Sequence, residues 1–439
     1  MKICMISLGC DKNLVDSEMM LGFLHRGDVS FTGQVEEADT VIVNTCCFIL
    51  DAKKESIRTV LDMAERKKKK QIRALIVAGC LAQRYRDEIL NEIPEVDAVV
   101  GTSDYDAIGK VLKKVEKGER TAACSTDRLP RMSRKRTFSS AGYFGYLKIA
   151  EGCDKHCTYC IIPSLRGKYR SYPMEDLVRQ ASAMVSSGVK ELILVAQETT
   201  VYGTDLYGKK SLPALLKKLC RIKDLEWIRI LYCYPEEITE ELIQTIRKEK
   251  KVCRYLDIPV QHASDAILKR MGRRTTEKEL EEIIGRIREV IPEMAIRTTL
   301  ISGFPGETEK DHRILKSFVR RMKFDHLGVF PYSREEGTPA ALFPDQVPQK
   351  IKKLRRADIM AIQQKISAAK MKKLKGKVLE VMVEGKLPRE NVYTGRTYRD
   401  APEVDGNVFF PAEGTLLSGS IVKVKITGSS EYDLTGEIV

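Results

Sequence analysis

Six of the twelve cysteines in this chain have a sequence context that suits metal binding. Three lie in one C-x-x-x-C-x-x-C run, and three are far apart, each just after an apolar strand-like segment. We call them the compact triad (Cys153, Cys157 and Cys160) and the N-terminal triad (Cys10, Cys46 and Cys80). Cysteine thiolates hold iron–sulfur clusters, and a four-iron cluster bound by three of them keeps one iron open. Two open clusters in one chain predict chemistry rather than electron storage.

Each triad also has a simpler interpretation. For the compact triad it is a zinc knuckle, but zinc prefers four ligands and no second cysteine pair at zinc spacing follows. The one nearby histidine, His156, lies between two of the cysteines. For the N-terminal triad, the simpler interpretation is that each cysteine is buried as a small hydrophobic residue. That interpretation explains a single cysteine after a strand, but three cysteines in the same position make it improbable. We therefore favour clusters at both triads.

Residues 1–118 alternate apolar runs with helical patterns, which predicts βαβ units and a parallel α/β sheet. Ligands of such sheets bind beyond the carboxyl ends of the strands. Each cysteine of the N-terminal triad follows a strand by two or three residues, so the three should converge on one edge. The strands are predicted at 2–7, 40–44, 74–78 and 98–100, and the helices at 13–25, 53–70 and 82–92.

Residues 119–142 carry Pro, Ser, Gly and clustered basic residues without periodicity. This composition predicts a linker, with a domain boundary near residue 140. A polar, charged run of this kind is ordinarily a solvated connector. The alternative is a tether that lies against ribosomal or transfer RNA.

Residues 143–344 contain six apolar strand candidates, most of them separated by amphipathic segments. Six repeats predict a partial parallel (β/α)6 barrel, with function at the carboxyl ends of its strands. Cys153 follows the first of these strands by three residues, where an active site is expected. The strands are predicted at 145–150, 191–196, 227–232, 255–260, 295–301 and 326–331, and the helices at 174–187, 237–249, 277–290 and 308–322.

The last part of the chain changes its period. Residues 345–375 form a basic amphipathic pattern, which predicts a connecting helix. Residues 376–439 alternate instead, and five short strands in about 60 residues predict a small, OB-like five-stranded β-barrel. Barrels of this kind bind oligonucleotides or loops.

The net charge of +14 invites a nucleic-acid interpretation, but its distribution matters more than its total. Residues 376–439 hold seven basic and ten acidic residues, a net charge of −3, so the rest of the chain carries +17. No apolar run approaches the length of about 20 residues that crosses a membrane, and the first residues read as a strand rather than a signal peptide. Twelve cysteines without a secretion signal fit a reducing cytoplasm, where metal binding is commoner than disulfides.

The compact triad resembles the signature of the radical SAM superfamily, C-x-x-x-C-x-aromatic-C, with Tyr159 as the aromatic residue. The resemblance implies that S-adenosylmethionine (SAM) chelates the open iron through its amino and carboxylate groups. One electron from the cluster then cleaves the sulfonium bond and produces a carbon radical. Two predicted strand ends supply further SAM contacts: Gln197 and Glu198 in "LVAQET" for the methionine moiety, and Gly303 and Glu307 in "TTLISGFPGET" for the adenosine.

The whole chain resembles the methylthiotransferases, a radical SAM family whose additional cysteine triad matches Cys10, Cys46 and Cys80 and whose C-terminal barrel is called a TRAM domain. The resemblance implies two 4Fe-4S clusters and two SAM molecules. One SAM methylates sulfur bound to the N-terminal cluster, and the other yields the 5′-deoxyadenosyl radical. Asp11 departs from the family, in which proline is expected. Cys46 is assigned as the ligand rather than its neighbour Cys47, because it completes the matching "NTC" pattern.

Two segments, "SLGCDKNLVDSE" (7–18) and "GRTYRDAPEVDG" (395–406), resemble one branch of this family. That branch methylthiolates the β-carbon of an aspartate in the twelfth protein of the small ribosomal subunit. The resemblance therefore implies this ribosomal protein as the substrate, with an electron donor and a sulfur source as further partners. Lys12, Asn13 and Asp16 are candidates for substrate contact, and capping of the following helix is the equal alternative. No catalytic residue beyond the cluster ligands is predicted, and His262, at a strand end, either lines the cavity or packs as a polar core residue.

Two other functions follow from the same residues. The first keeps the chemistry but acts on a modified adenosine of transfer RNA. The acidic C-terminal barrel opposes it, because affinity for nucleic acid rests largely on Lys and Arg at phosphates. The second is a non-catalytic iron–sulfur electron carrier or sensor, which requires closed clusters and hence a fourth ligand that neither triad has.

Overall fold

The computed structural model describes residues 1–25, 28–126, 128–133, 136–137, 142–388 and 390–439. These residues divide into two compact units, each described in turn. The first comprises Met1–Ser139, Lys148–Tyr172 and Ser333–Ala341, and the second comprises Ser140–Leu147, Pro173–Tyr332 and Leu342–Val439. The compact triad therefore belongs to the same unit as the N-terminal triad, whereas the sequence prediction grouped it with the domain of residues 143–344.

The first unit is built on a six-stranded parallel sheet. Its strands are β1 (Lys2–Ser7), β2 (Ser30–Thr32), β3 (Thr40–Thr45), β4 (Ala74–Ala78), β5 (Ala98–Val100) and β6 (Thr121–Ala123). Its helices are α1 (Asp11–Leu24), α2 (Leu50–Lys68), α3 (Gly79–Arg84), α4 (Arg86–Glu92) and α5 (Ile108–Glu116). The strand order is β2-β1-β3-β4-β5-β6. Strands β3 and β4 are buried along their whole length, as is usual for parallel strands, and the predicted α/β fold is confirmed.

Two strands of this sheet were not predicted. Strand β2 was assigned to no element, and β6 lies inside the predicted linker 119–142. Three residues are too few to show an alternating pattern, so neither strand has a periodic signal. Strand β6 pairs in parallel with β5 and extends the sheet past residue 118. The helix predicted at 82–92 is two helices, α3 and α4, that break at Tyr85.

Part of the predicted linker is anchored rather than free. Arg128 donates to Asp106 at 2.6 Å and to Asp104 at 2.9 Å, and these contacts hold its segment against the first unit. The interpretation of this stretch as a solvated connector is therefore wrong for Arg128. Residues 127, 134–135 and 138–141 of the predicted linker lie outside the described residues.

The second unit contains a six-stranded sheet of order β14-β13-β12-β11-β10-β7. The chain reaches it at β7 (Phe144–Lys148), passes through the short strands β8 (Ala150–Glu151) and β9 (Arg170–Ser171) with α6 (Ile162–Arg166) between them, and returns at α7 (Met174–Ser186). The other strands are β10 (Glu191–Val195), β11 (Trp227–Ile230), β12 (Val252–Asp257), β13 (Ala295–Ser302) and β14 (His326–Pro331). The other helices are α8 (Thr204–Tyr207), α9 (Leu212–Leu219), α10 (Glu240–Lys248), α11 (Asp265–Arg270), α12 (Glu277–Val290) and α13 (Glu309–Met322).

Strands β10 to β14 pair in parallel and in sequence order, so the predicted partial barrel is confirmed. Strand β12 ends at Asp257 instead of residue 260. Pro259 has no N–H to donate to a strand ladder, which accounts for the earlier end.

The C-terminal residues form the predicted closed five-stranded barrel, of order β15-β16-β17-β19-β18. Its interior contains Val381, Val383, Phe410, Val424 and Ile426. Helix α14 (Gln349–Lys372) precedes the barrel strands β15 (Val378–Lys386), β16 (Val392–Arg396), β17 (Val408–Pro411), β18 (Ile421–Ser429) and β19 (Leu434–Ile438). Helix α14 starts after Pro348, later than predicted, because the fixed φ of proline suits a helix start and not its interior. Neither α14 nor any other helix of the described residues is long and apolar enough to span a membrane.

Candidate functional site

The N-terminal triad gathers at the carboxyl edge of the first unit's sheet. Cys10 follows β1, Cys46 follows β3 directly, and Cys80 lies in the first turn of α3 after β4. Cys46 and Cys80 are buried and Cys10 is exposed. Burial raises the pKa of the Cys46 thiol, and the neighbouring Cys10 raises it further. The pKa of Cys80 is raised by burial and then by the other sulfurs, so the three thiols lie within electrostatic reach of one another.

Gly9 allows Cys10 to approach Cys46. Its φ of 89° lies in the left-handed region that favours glycine. A Cβ at this position would lie 2.5 Å from the Cβ of Cys46 and 2.8 Å from its Sγ. Glycine with positive φ also precedes Cys80 and Cys153. A glycine directly before a cysteine is therefore a sequence signal for the left-handed backbone that precedes Cys10, Cys80 and Cys153. The spacing of the cysteines alone does not reveal it.

Asn13 joins the three loops that carry the N-terminal triad. Its Nδ2 donates to the carbonyl oxygen of Leu8 at 3.0 Å and to that of Thr45 at 2.9 Å. Its Oδ1 accepts a hydrogen bond from the Cys80 thiol at 3.7 Å. The side chain is fully buried. Asn13 thus holds the ends of three different loops in one arrangement, a role that its position in the sequence did not indicate.

The other two candidates for substrate contact also have partners within the first unit. Lys12 Nζ lies 3.1 Å from Asp11 Oδ1, and the Asp16 carboxylate pairs with Lys148 and with Arg166. Helix α1 begins at Asp11 with Cys10 as its N-cap, so Lys12, Asn13 and Asp16 lie inside the helix. The capping alternative is therefore wrong for all three. Their contact with substrate stays a prediction.

The compact triad lies in the loop between β8 and α6. Cys153 and Cys157 are buried and Cys160 is partly buried, as is the adjacent Tyr159. The backbone N–H of Lys155 donates to Cys153 Sγ at 3.4 Å, and that of Cys160 donates to the Cys157 carbonyl at 3.0 Å. Burial raises the pKa of Cys160 to about 12, and Cys157 and Cys153 raise it as well. These three sulfurs are also electrostatic neighbours.

The donor sets suit clusters better than a single ion. Within the described ranges, no three His, Cys, Asp or Glu side chains form a single-ion site. Each thiolate of a four-iron cluster binds a different iron, so its ligands need not converge on one point. None of the twelve cysteines, all of which lie in the described residues, forms a disulfide. Buried thiols stay neutral until a metal stabilises the thiolate, so three soft sulfur donors at each triad match the needs of iron.

The predicted SAM-contacting residues outside the compact triad belong to the second unit. Gln197 and Glu198 follow β10, and Gly303 follows β13, so both segments lie at the carboxyl ends of strands, as expected. Glu198 is buried, and its carboxylate accepts from the backbone N–H of Thr200 at 2.9 Å. Gln197 is partly buried.

The carboxylate of Glu307 faces its own loop. It accepts from the backbone N–H groups of Gly303 at 2.5 Å and Phe304 at 3.1 Å, and from Arg355 at 3.1 Å. Gly303 has a φ of 69°, and a Cβ there would collide with Lys352 of α14. Glu307 and Gly303 therefore shape this loop, and their contact with SAM stays a prediction, as it does for Gln197, Glu198 and Tyr159.

His262 packs as a polar core residue rather than lining an open cavity. It is fully buried, and its Nδ1 accepts from the backbone N–H of Ser264 at 2.9 Å. Its Nε2 faces Glu307 Oε2 at 3.8 Å. Burial lowers the pKa of His262 to about 3, so the ring is neutral near pH 7.

The segment 395–406 packs against the sheet of the second unit. Arg396 is fully buried and donates to Glu191 Oε2 at 2.7 Å and to Glu384 Oε1 at 2.5 Å. Arg399 donates to Asp325 at 2.6 Å, and Asp405 accepts from Tyr255 at 2.8 Å. This segment thus attaches the C-terminal barrel to the central sheet.

The charged side chains that the C-terminal barrel does expose are mostly acidic. Among its described residues, the exposed acidic side chains are Glu380, Glu390, Glu403, Glu413, Glu431 and Glu437. The exposed basic side chains in the same part of the structure are Lys377, Lys386, Lys423 and Lys425. The acidic character predicted for this barrel therefore persists at its surface.

Three family models match the chain in succession. The model described as uncharacterized protein family UPF0004 matches residues 2–101, the radical SAM superfamily matches residues 147–318, and the TRAM domain matches residues 376–439. These matches fall on the N-terminal sheet, on the central region with the compact triad, and on the C-terminal barrel.

Curated relatives match the chain over its full length. A ribosomal protein uS12 methylthiotransferase RimO of Lachnoclostridium phytofermentans is 58% identical over 437 residues, which cover 99% of each chain. Proteins of the same name from Acetivibrio thermocellus and Geobacter sulfurreducens are 51% and 50% identical, and each match covers 100% of this chain and 98% of the relative.

Solved structures share the fold at low sequence identity. The radical S-adenosylmethionine methyltransferase TsrM from Kitasatospora setae, with cobalamin and a [4Fe-4S] cluster bound, matches with a TM-score of 0.56 at 13% identity. That match covers 78% of this chain and 77% of the other. The cobalamin-dependent radical enzyme OxsB, with aqua-cobalamin and S-adenosylmethionine bound, matches with a TM-score of 0.52 at 14% identity over 82% of this chain and 56% of the other.

Proposed function

Because the chain belongs to the family of ribosomal protein uS12 methylthiotransferases named RimO, we propose that it attaches a methylthio group to the β-carbon of an aspartate in ribosomal protein S12. The observation that carries the proposal is identity of 58% over the whole chain, in a protein whose two cysteine triads share one compact unit. The enzyme is a radical SAM transferase.

Two 4Fe-4S clusters, when bound, supply the electron that cleaves SAM and the sulfur that is transferred. The compact triad holds the first cluster and the N-terminal triad holds the second. The chain's own contribution is to hold the thiolates in place. Asn13 fixes the three loops of the N-terminal triad, and the buried loop between β8 and α6 presents the compact triad. Tyr159, Gln197, Glu198, Gly303 and Glu307 are the candidates for contact with SAM.

Substrate choice rests on the surface of the C-terminal barrel. Its exposed charges are mostly acidic, and ribosomal proteins are basic, so complementary charge favours encounter with a protein. Lys12, Asn13 and Asp16 lie at the edge that carries Cys10 and are the candidates for contact with the substrate loop. An electron donor and a sulfur source complete the reaction. A ribosomal substrate and twelve cysteines without a disulfide fit a reducing cytoplasm.

Transfer RNA is not the primary substrate. Two of the few arginines of the C-terminal barrel, Arg396 and Arg399, are paired with Glu191 and Asp325 instead of being displayed to a phosphate backbone. A closed-cluster electron carrier is likewise not favoured, because such a carrier needs a fourth protein ligand for each cluster.

The test is a reaction of the reconstituted enzyme with SAM, a reductant and a sulfide source, with ribosomal protein S12 and transfer RNA offered separately. We expect a mass gain of one methylthio group on one aspartate of the protein and no gain on the RNA. Mass spectrometry of both substrates from cells that lack this chain gives the matching result in vivo. Modification of transfer RNA alone would contradict the proposal.

A further inference from the structure

A buried ion network in the first unit links the chain segments that carry the two triads. It contains two cations, Lys148 and Arg166, and two carboxylates, Asp16 and Glu151, all with side chains at most 3% exposed. Arg166 Nη1 donates to Glu151 Oε1 at 2.8 Å, and Lys148 Nζ lies 2.5 Å from Glu151 Oε2. Arg166 Nη2 lies 3.1 Å from Asp16 Oδ2. The charges of these four groups balance, which is what allows them to be buried.

The network also fixes both ends of the compact-triad loop. Glu151 lies two residues before Cys153, and Arg166 lies six residues after Cys160. Glu151 is also the backbone partner of Arg170 in the short antiparallel β8–β9 ladder. Arg166 therefore ties one end of this loop directly to Asp16, and Lys148 links Glu151 at the other end to Asp16, which lies on α1 six residues after Cys10.

One nitrogen of this network reaches a sulfur of the N-terminal triad. Arg166 Nη2 donates to Asn13 Oδ1 at 2.7 Å and lies 3.7 Å from Cys80 Sγ, within hydrogen-bond distance for sulfur. The guanidinium is planar and rigid, and Glu151, Asp16 and Asn13 already hold it on several sides. Nη2 therefore shares its two N–H groups among Asn13, Asp16 and Cys80.

We propose that Arg166 is a positioning residue that raises the reduction potential of the N-terminal cluster by donating an N–H···S hydrogen bond to the Cys80 thiolate. The inference rests on the proposed function, in which Cys80 is a cluster ligand. Hydrogen bonds to ligand sulfurs are one of the protein's means of setting cluster potential. Bonds from a charged donor strengthen as the acceptor becomes more negative, so this bond stabilises the reduced cluster more than the oxidised one.

The test is the variant Arg166→Lys in the full chain, on a background in which Cys153, Cys157 and Cys160 are alanine so that only the N-terminal cluster remains. Lysine keeps a positive charge for Asp16 and Glu151 but has a single nitrogen, which cannot serve the carboxylates and the sulfur together. We expect the ratio of reduced to oxidised cluster at a fixed potential to fall about tenfold, equivalent to about 59 mV for one electron. The readout is a potentiometric titration followed by EPR.

The matched control is Arg128→Lys, which alters another arginine–aspartate contact of the same unit. The Arg128→Lys variant should have the same midpoint potential of the N-terminal cluster as the parent. An Arg166→Lys protein with the parent's midpoint potential would overturn the inference. A parent that assembles no N-terminal cluster would instead overturn the proposed function, and the inference with it.

A second measurement does not depend on how well the Arg166 variant folds. Parent protein labelled with ¹⁵N-arginine is reduced, and pulsed EPR is used to look for weak coupling between an arginine nitrogen and the cluster. We expect such a coupling, because the guanidinium directly contacts a ligand sulfur. Its absence in a protein that holds the reduced N-terminal cluster would overturn the inference.

Discussion

Arg396 of the C-terminal barrel donates to Glu191, the first residue of β10, at 2.7 Å, and both side chains are fully buried. Arg229 donates to the other carboxylate oxygen of Glu191, also at 2.7 Å. Burial alone would raise the pKa of Glu191, but the two guanidinium groups outweigh it and hold the pKa below its ordinary value. The C-terminal barrel is therefore fixed to the central sheet through one carboxylate shared by two arginines.

Replacing Glu191 with glutamine should destabilise the second unit strongly. Two buried guanidinium groups would lose their shared countercharge, a defect that typically costs about 3 kcal/mol or more. The measurement is the midpoint of urea-induced unfolding of the full chain. The matched control is Glu384→Gln, because Glu384 also accepts from Arg396 but is 19% exposed. Equal losses in the two variants would show that the buried pair is not the anchor.

Replacing Cys153, Cys157 and Cys160 together with alanine should abolish SAM cleavage and leave the N-terminal cluster in place. The reconstituted parent should hold about eight irons, and the triple variant about four, because each triad binds its own four-iron cluster. Iron analysis and the yield of 5′-deoxyadenosine check both parts. Continued SAM cleavage by the triple variant would refute the assignment of the compact triad.

Replacing Cys46 with alanine should stop methylthio transfer but leave 5′-deoxyadenosine formation, since radical generation depends on the other triad. Cys47→Ala is the matched control. Cys47 is fully buried, and burial raises its pKa to about 11. The assays are product mass and nucleoside yield. Full activity in Cys46→Ala together with loss in Cys47→Ala would reverse the assignment of the ligand.

Reversing the charge of Glu403, Glu413 and Glu431 should slow modification of ribosomal protein S12, most clearly at low salt, because charge complementarity mainly raises the association rate. Asp405 is unsuitable for this test, since it is paired with Arg297 and Tyr255. The measurement is the rate of modification at two salt concentrations.

The control for that prediction is Lys423→Glu with Lys425→Glu, which should raise the rate or leave it unchanged. SAM cleavage without substrate should be the same in all of these proteins, because it depends on cysteine triads that belong to the first unit, whereas the barrel belongs to the second. Faster modification by the protein in which Glu403, Glu413 and Glu431 are replaced with lysine would argue for a substrate with negative charge.

The stability of the second unit should fall as the pH drops below 6.5, because of His262. Burial lowers its folded pKa to about 3 from 6.5, so the unfolded chain takes up a proton that the folded chain excludes. The stabilisation is complete above pH 6.5 and is lost towards pH 3, with about 1.4 kcal/mol lost by pH 5.5. The difference in unfolding free energy between the parent and His262→Asn should shrink by this amount between pH 7.5 and 5.5. An unchanged difference would place the folded pKa of His262 near its ordinary value.

Local pattern was enough for the sequence to indicate most elements and the triads. Strand and helix periods, the position of Cys10, Cys46 and Cys80 after apolar runs, and the alternation after residue 376 are all features of neighbouring residues. The structure confirms the parallel sheet, the partial barrel and the closed five-stranded barrel. The strands missed in the N-terminal sheet, β2 and β6, are three-residue edge strands with too few residues to carry a period. Short helices such as α6, α8 and α11 were missed as well.

Charge pairing was decided by the tertiary structure. Arg166 and Cys80 are 86 residues apart, and Arg396 and Glu191 are 205 apart. A charged residue has the same appearance in a sequence whether it is exposed or buried against a partner, because its pairing has no period and depends on which segments the fold brings together. The residues 395–406 therefore identified a branch of the family from the sequence, but only the folded chain shows that they anchor a barrel. The sequence determined where the cysteines lie along the chain, and the fold determined which charges surround them.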